Sequence, residues 1–236
     1  MYRLVVLAFV SLAAAATISA QARTGTIQGH VKIDGDIPGN AIIRMGMDPK
    51  CAEMHRGDRV IQQGVVALPD GSLANVFVRL EGQFPPTAVP TEPVTLDQKA
   101  CIYTPRVVGM RAGQKLQVRN SDNLLHNVHS SSAVGNSFNV GQPKAGMIFE
   151  FTPKAEETML KVGCDVHSWM TTWVGVVSHP YFAATDAQGA FTIRSVPPGT
   201  YRVHFWHERF GDVTKMVTGR GGAVATIDYG FEAQVR

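Results

Sequence analysis

Thr158-Met-Leu-Lys-Val-Gly-Cys164-Asp-Val-His167-Ser-Trp-Met170-Thr-Thr-Trp173-Val-Gly-Val-Val-Ser178 is the stretch whose reading decides the fold. Leu160 and Val162 share one parity and Cys164 continues it, so a strand over 158–163 aims the thiol inward, where water is scarce. A second apolar run, 173–178, reads as the next strand. Between the two lies a short loop that carries a cysteine, a histidine and a methionine.

The same β pattern extends outward in both directions. Ile27, Gly29, Val31 and Ile33 alternate with polar residues, the period of a half-buried strand. Leu68-Pro69-Asp70-Gly71-Ser72 is a tight-turn signature, since Pro presets one dihedral and Gly tolerates a positive one. Residues 74–80, 94–108 and 115–119 are further strand candidates. Between them, 82–93 carries Pro85, Pro86, Pro90 and Pro93 and reads as an extended connector. Past the loop, Asp186-Ala187-Gln188-Gly189 and Val196-Pro197-Pro198-Gly199 are turns that bound strands over 190–194 and 201–207. The one helix-like stretch after the leader is short, at 48–55. Short strands at regular spacing predict an all-β sandwich, and 236 residues allow one large domain or two small ones.

The first 22 residues read as a secretory signal peptide. Arg3 gives a positive start, 5–16 is apolar but too short to span a bilayer, and Ala20-Gln21-Ala22 puts small residues at the cleavage positions. The mature chain is therefore expected to be periplasmic or secreted, with no integral membrane segment. The formal charge is +3, with no basic run and no stacking aromatic cluster, which argues against nucleic acid as a partner. Three cysteines in an oxidising compartment leave one outside any intrachain pair. Cys164 has ligand-type neighbours, so Cys51 and Cys101 are the expected disulfide, with two buried free thiols as the alternative.

Upstream of the loop stands His126-Asn127-Val128. One thiolate, two imidazoles and one thioether are the ligand set of a mononuclear blue-copper electron-transfer site. Taken singly, each residue has a plainer role: Cys164 as an inert buried thiol, Met170 as core filler, His126 as a hydrogen-bonded surface group. Their order and spacing favour a shared ion. Zinc suits two histidines and a cysteine, but a methionine in the fourth position fits it poorly, and no Glu stands nearby as a general base.

The segment from about 94 to 178 resembles a cupredoxin, closest in motif to amicyanin and plastocyanin. Leu125-His126-Asn127-Val128-His129 resembles the segment that carries the first histidine ligand, with Asn120-Ser121-Asp122 as the turn before it. Cys164-x-x-His167-x-x-Met170 resembles the short amicyanin loop. The resemblance implies a Greek-key β-sandwich holding one type 1 copper, with His126, Cys164 and His167 equatorial and Met170 axial. Asn127 would tie the two ligand loops together and hydrogen-bond near the thiolate. His129 would face the other side of its strand. The histidine edge of His167 would break the surface within an apolar patch as the electron port, with Trp169 and Trp173 either enlarging that patch or buried. Gly163 stands where copper nitrite reductases and multicopper oxidases carry a histidine, and the loop has one cysteine where a binuclear copper centre needs two. Both departures argue for a one-electron carrier with no catalytic residues.

Asp186-x-x-Gly189-x-Phe191-x-Ile193 followed by Val196-Pro-Pro-Gly-Thr-Tyr201-x-Val203 resembles a carboxypeptidase regulatory-like, or transthyretin-like, β-sandwich. Such a module usually opens on a Gly-x-Val strand, which Gly29-His30-Val31 would supply. The expected division is thus a signal peptide at 1–22, an N-terminal β segment at 23–85, a copper domain at 86–180 and a second β segment at 181–236. The two flanking segments, each too small to close a core, would form one sandwich. His179 and Trp206-His207-Glu208 read as packing rather than as a second metal site. The expected function is an exported copper protein that carries single electrons between redox proteins, such as a c-type cytochrome, a dehydrogenase or a reductase. A copper storage or delivery protein, or a scaffold with structural copper, is the alternative.

Overall fold

The computed structural model describes residues 23–233. The signal-peptide reading falls outside them. The protein is all-β, with four sheets among the described residues. The middle of the chain supplies two. A five-stranded sheet runs in the order Val107–Arg111, Thr171–Val177, Glu157–Gly163, His126–Ser130, Phe138–Gln142. A four-stranded sheet runs Ile102–Thr104, Val94–Lys99, Leu116–Asn120, Ile148–Phe151. Leu96, Tyr103, Met110, Leu116, Val128, Leu160 and Val174 pack between them as one core.

The flanks supply the other two sheets, and strands from both flanks share each of them. Gly25–Asp34 pairs antiparallel with Ala190–Val196 and parallel with Val224–Thr226 and Tyr229–Glu232. Phe77–Glu81 lies between Phe182–Ala184 and Gly199–His207, and Gly211–Gly219 completes that sheet. Their core is separate and includes Ile27, Val31, Leu80, Phe191, Ile193, Val203 and Phe205. The alternation read from the sequence is visible here: Ile27, Gly29, Val31 and Ile33 are all buried, with exposed residues between them from Gln28 to Asp34. In the turn before Ala190, Asp186 accepts from the Gln188 and Ala190 N–H groups, and Gly189 adopts φ +72°. A side chain there would be strained by its backbone and would also sit 2.5 Å from the Val31 carbonyl.

The single strand expected over 94–108 is three strands. The chain breaks at Ala100 and Cys101, which both have positive φ, 52° and 56°. The cause is local chemistry. The Asp122 carboxylate takes both their N–H groups, at 2.7 and 2.8 Å, and Cys101 is disulfide-bonded to Cys51. The short helix is Pro49–Met54, with Asp48 as its N-cap accepting from Lys50 and Cys51 and Pro in the first turn. The proline-rich connector, 82–93, contains no strand.

The two bodies meet on a small buried cluster of Phe77, Val107, Met159 and Val177, joined by Phe182, Trp173 and Trp206. Phe77 belongs to the flank body. It seats against Gly109 and Gly175, which are paired neighbours in the five-stranded sheet. Beside it, Arg106 makes a two-pronged ion pair with Glu208, at 2.7 and 2.6 Å, while its third nitrogen donates to the Thr171 carbonyl. Trp173 donates to the same Glu208, and its ring packs at a 60° tilt against Trp206.

His207 is buried in the flank body and stacked on Phe210. Burial pulls its pKa down from 6.5 to about 4. Below pH 6.5 the unfolded chain binds a proton that the folded chain refuses, so stability is lost as pH falls toward the folded value. Urea unfolding should show wild type losing about 2 kcal/mol more than His207→Gln between pH ~7.5 and ~5. Parallel losses in the two proteins would contradict this.

Candidate metal centre

The site forms where two loops of the five-stranded sheet converge. His126 opens one strand, and the loop before it is fixed from within. The buried Asn120 side chain donates to the Leu124 and Gln142 carbonyls, at 3.0 and 2.8 Å, and accepts from the Asp122 N–H. Cys164 follows the strand Glu157–Gly163. A bond from the Met170 N–H to the His167 carbonyl, 2.9 Å, closes the loop before the next strand begins at Thr171.

These elements bring the side chains together. His126 Nδ1 lies 3.0 Å from His167 Nδ1, and Cys164 Sγ lies 3.8 Å from His167 Nδ1. The ligand atoms of His126, Cys164 and His167 all fall within 4.8 Å of one another. All three residues are buried, as is Met170 in the same core cluster. Cys164 and Met170 also line a surface pocket of about 300 Å³ with His129, Lys161 and Asp165.

A second layer of bonds sets how the rings present themselves. His126 Nε2 faces Asp122 Oδ2 at 2.9 Å, and His167 Nε2 faces Asp48 Oδ2 at 3.0 Å. With carboxylates as acceptors, both rings donate from Nε2, and each turns its Nδ1 toward the cluster. Asn127 donates its backbone N–H to Cys164 Sγ at 3.4 Å. The Asn127 side chain donates to Asp165 and accepts from the Asp165 N–H, so it ties the two loops together.

The charges respond to this crowding. Burial pushes the Cys164 thiol up, but hydrogen bonds from His126, the Asn127 N–H and His167 outweigh it and bring the pKa to about 7. Burial likewise opposes a charged His126, yet Asp122 and Cys164 raise it to about 8. Asp48 is held below the usual carboxylate range, chiefly by His167. One sulfur and two imidazole nitrogens thus converge on a single point, held together by the protons they share, and a cation would take the place of those protons. Donors of this softness and geometry fit a copper ion.

One expectation fails. The edge of His167 does not break the surface: the residue is 1% exposed. Asp48 covers its Nε2, and Cys51 Sγ lies 3.5 Å from the same nitrogen. The helix Pro49–Met54 sits over the ring, stapled down by the Cys51–Cys101 disulfide. Trp169 is half-buried and donates to the Cys101 carbonyl, while Trp173 lies at the contact between the two bodies. His129 stands apart from the cluster, half-exposed and paired with Asp165 at 2.8 Å. His179 and His207 join no metal-type group among the described residues. Asp122 and Asp48 join the site without belonging to the ligand motifs. Asp122 stands four residues before His126, a signal the sequence offered. Asp48 is 119 residues from His167 and offered none.

A family model described as polysaccharide lyase family 4, domain II, matches residues 154–225. That stretch begins just before the strand Glu157–Gly163 and ends in the flank body, and it takes in the segment that resembles a carboxypeptidase regulatory-like module. No curated protein matches the chain. Among solved structures, a purple cupredoxin from Nitrosopumilus maritimus aligns at 23% identity and TM-score 0.31, over 35% of this chain and 98% of its own. A point mutant of amicyanin in its Cu(I) form aligns at 18% identity and TM-score 0.32, over 42% of this chain and 97% of its own. A Cu-containing nitrite reductase from Thermus scotoductus SA-01 aligns at 19% and 0.33, over 39% of this chain and only 25% of its own.

Proposed function

We propose that this protein binds one type 1 copper ion and passes single electrons between redox proteins. The observation that carries the reading is the convergence of Cys164 Sγ, His126 Nδ1 and His167 Nδ1, with both distal nitrogens already held by carboxylates. Met170, buried on the same loop, would supply the weak axial sulfur. Bound copper supplies a one-electron couple. The chain's own residues do the rest. Asn127 locks the two loops against each other and steadies the thiolate through its N–H. Strands on both sides fix the loop ends, so the donors shift little when the charge of the ion changes.

We place the protein outside the enzymes, because Gly163 precedes Cys164 and the loop carries one cysteine. Its partners would be redox proteins such as a c-type cytochrome, a dehydrogenase or a reductase. Its place would be the periplasm or the extracellular space. No helix among the described residues is long and apolar enough to cross a membrane.

Voltammetry of the copper-loaded protein should show a reversible one-electron wave. Met170→Gln should keep the copper and lower the potential, because a harder axial oxygen favours Cu(II). An unchanged potential would remove Met170 from the centre. A second reading, copper storage or delivery, is favoured by the sealed His167 edge. It predicts stoichiometric transfer of Cu(I) to an acceptor and no reversible wave.

A further inference from the structure

We infer that Asp48 and Asp122 are positioning residues of the copper centre, and that the Cys51–Cys101 disulfide is the clasp that holds both of them in place. The inference rests on the copper reading above.

The two carboxylates play matching parts. Each accepts from the distal nitrogen of one ligand histidine, Asp122 from His126 at 2.9 Å and Asp48 from His167 at 3.0 Å. Each also accepts from the backbone N–H of one half of the same disulfide. Asp48 takes Cys51 N at 3.2 Å, and Asp122 takes Cys101 N at 2.8 Å. The path from imidazole to carboxylate to cysteine is therefore closed through the disulfide into a single ring. The two halves are 50 residues apart in sequence, and the first lies outside the sheets that carry the ligands.

This arrangement has three consequences. It fixes the proton of each ring on Nε2 and so turns Nδ1 to the ion. It puts two negative charges one imidazole away from the metal, which stabilises the more highly charged Cu(II). It also lays the helix Pro49–Met54 over His167 and keeps water from the ring. None of the four ligands needs the disulfide to exist, yet the rigidity of two of them runs through it.

The test uses the copper-loaded full chain and follows copper loss to an excess of chelator, together with the reduction potential. Asp48→Ala should release copper ~10–100-fold faster than wild type and shift the potential upward. Asp48→Asn should release it more slowly than Asp48→Ala, because its one amide oxygen still takes either the Nε2 proton or the helix N–H groups, though not both as the two carboxylate oxygens do. It should nevertheless show the upward shift, because the charge is gone. Asparagine also caps helices well, so this variant keeps the local fold if the alanine variant does not. Asp122→Asn should behave alike. The double change Cys51→Ser with Cys101→Ser should speed release while leaving the visible band in place. Release rates and potentials equal to wild type in the carboxylate variants would overturn the inference while leaving the copper centre standing. A wild-type protein that takes up no copper would overturn both.

Discussion

Cys164→Ser is expected to abolish the intense visible band of the copper-loaded protein, while the fold survives. The band of such a centre arises from charge donation by a thiolate, and no other free cysteine exists in the chain. A hydroxyl at this position keeps the Asn127 N–H as a partner, so the folding cost should be only about 1 kcal/mol. Visible absorption, with thermal unfolding as the control, measures both. The same band in the variant would mean that Cys164 is not a ligand.

Phe77→Ala is expected to cost about 3–5 kcal/mol and to loosen the central body from the flank body. Phe77 is fully buried, and its ring occupies the space that side chains at Gly109 and Gly175 would fill. A Cβ at Gly175 would lie 2.3 Å from the Phe77 ring, so Gly175→Val should destabilise the same contact from the other side. Restoring space should then make the pair non-additive: with Phe77 already Ala, the added valine should cost less than it does alone. Urea unfolding of the two single variants and the double variant is the measurement. Additive losses would show that the ring and the glycines do not share one packing site.

The fold was legible wherever burial follows a simple period. Ile27 to Ile33 alternate because one face of their strand packs on a core and the other meets water. The short helix was legible as a helix-like stretch at 48–55; its cap, Asp48, comes from the structure. The break at Ala100 and Cys101 was not, because nothing in that stretch looks like a turn. Its cause is a carboxylate 21 residues further along and a cysteine 50 residues back. The site divides in the same way. That Cys164 and His167 come together was readable because they lie on one loop, and that His126 joins them because its neighbours resemble a known segment. The covering of His167 was not readable, since it depends on a distant helix arriving over the ring. A resemblance limited to the ligand loops says nothing about what other parts of the chain lie on top of them.

Copper titration of the metal-free protein tests the central claim most directly. Cu(II) should bind at one equivalent, produce an intense visible band with the narrow copper hyperfine splitting of a thiolate-bound ion, and lose that band reversibly on mild reduction. Binding that leaves the protein colourless, or that saturates without involving the cysteine, would contradict a single type 1 centre at His126, Cys164, His167 and Met170.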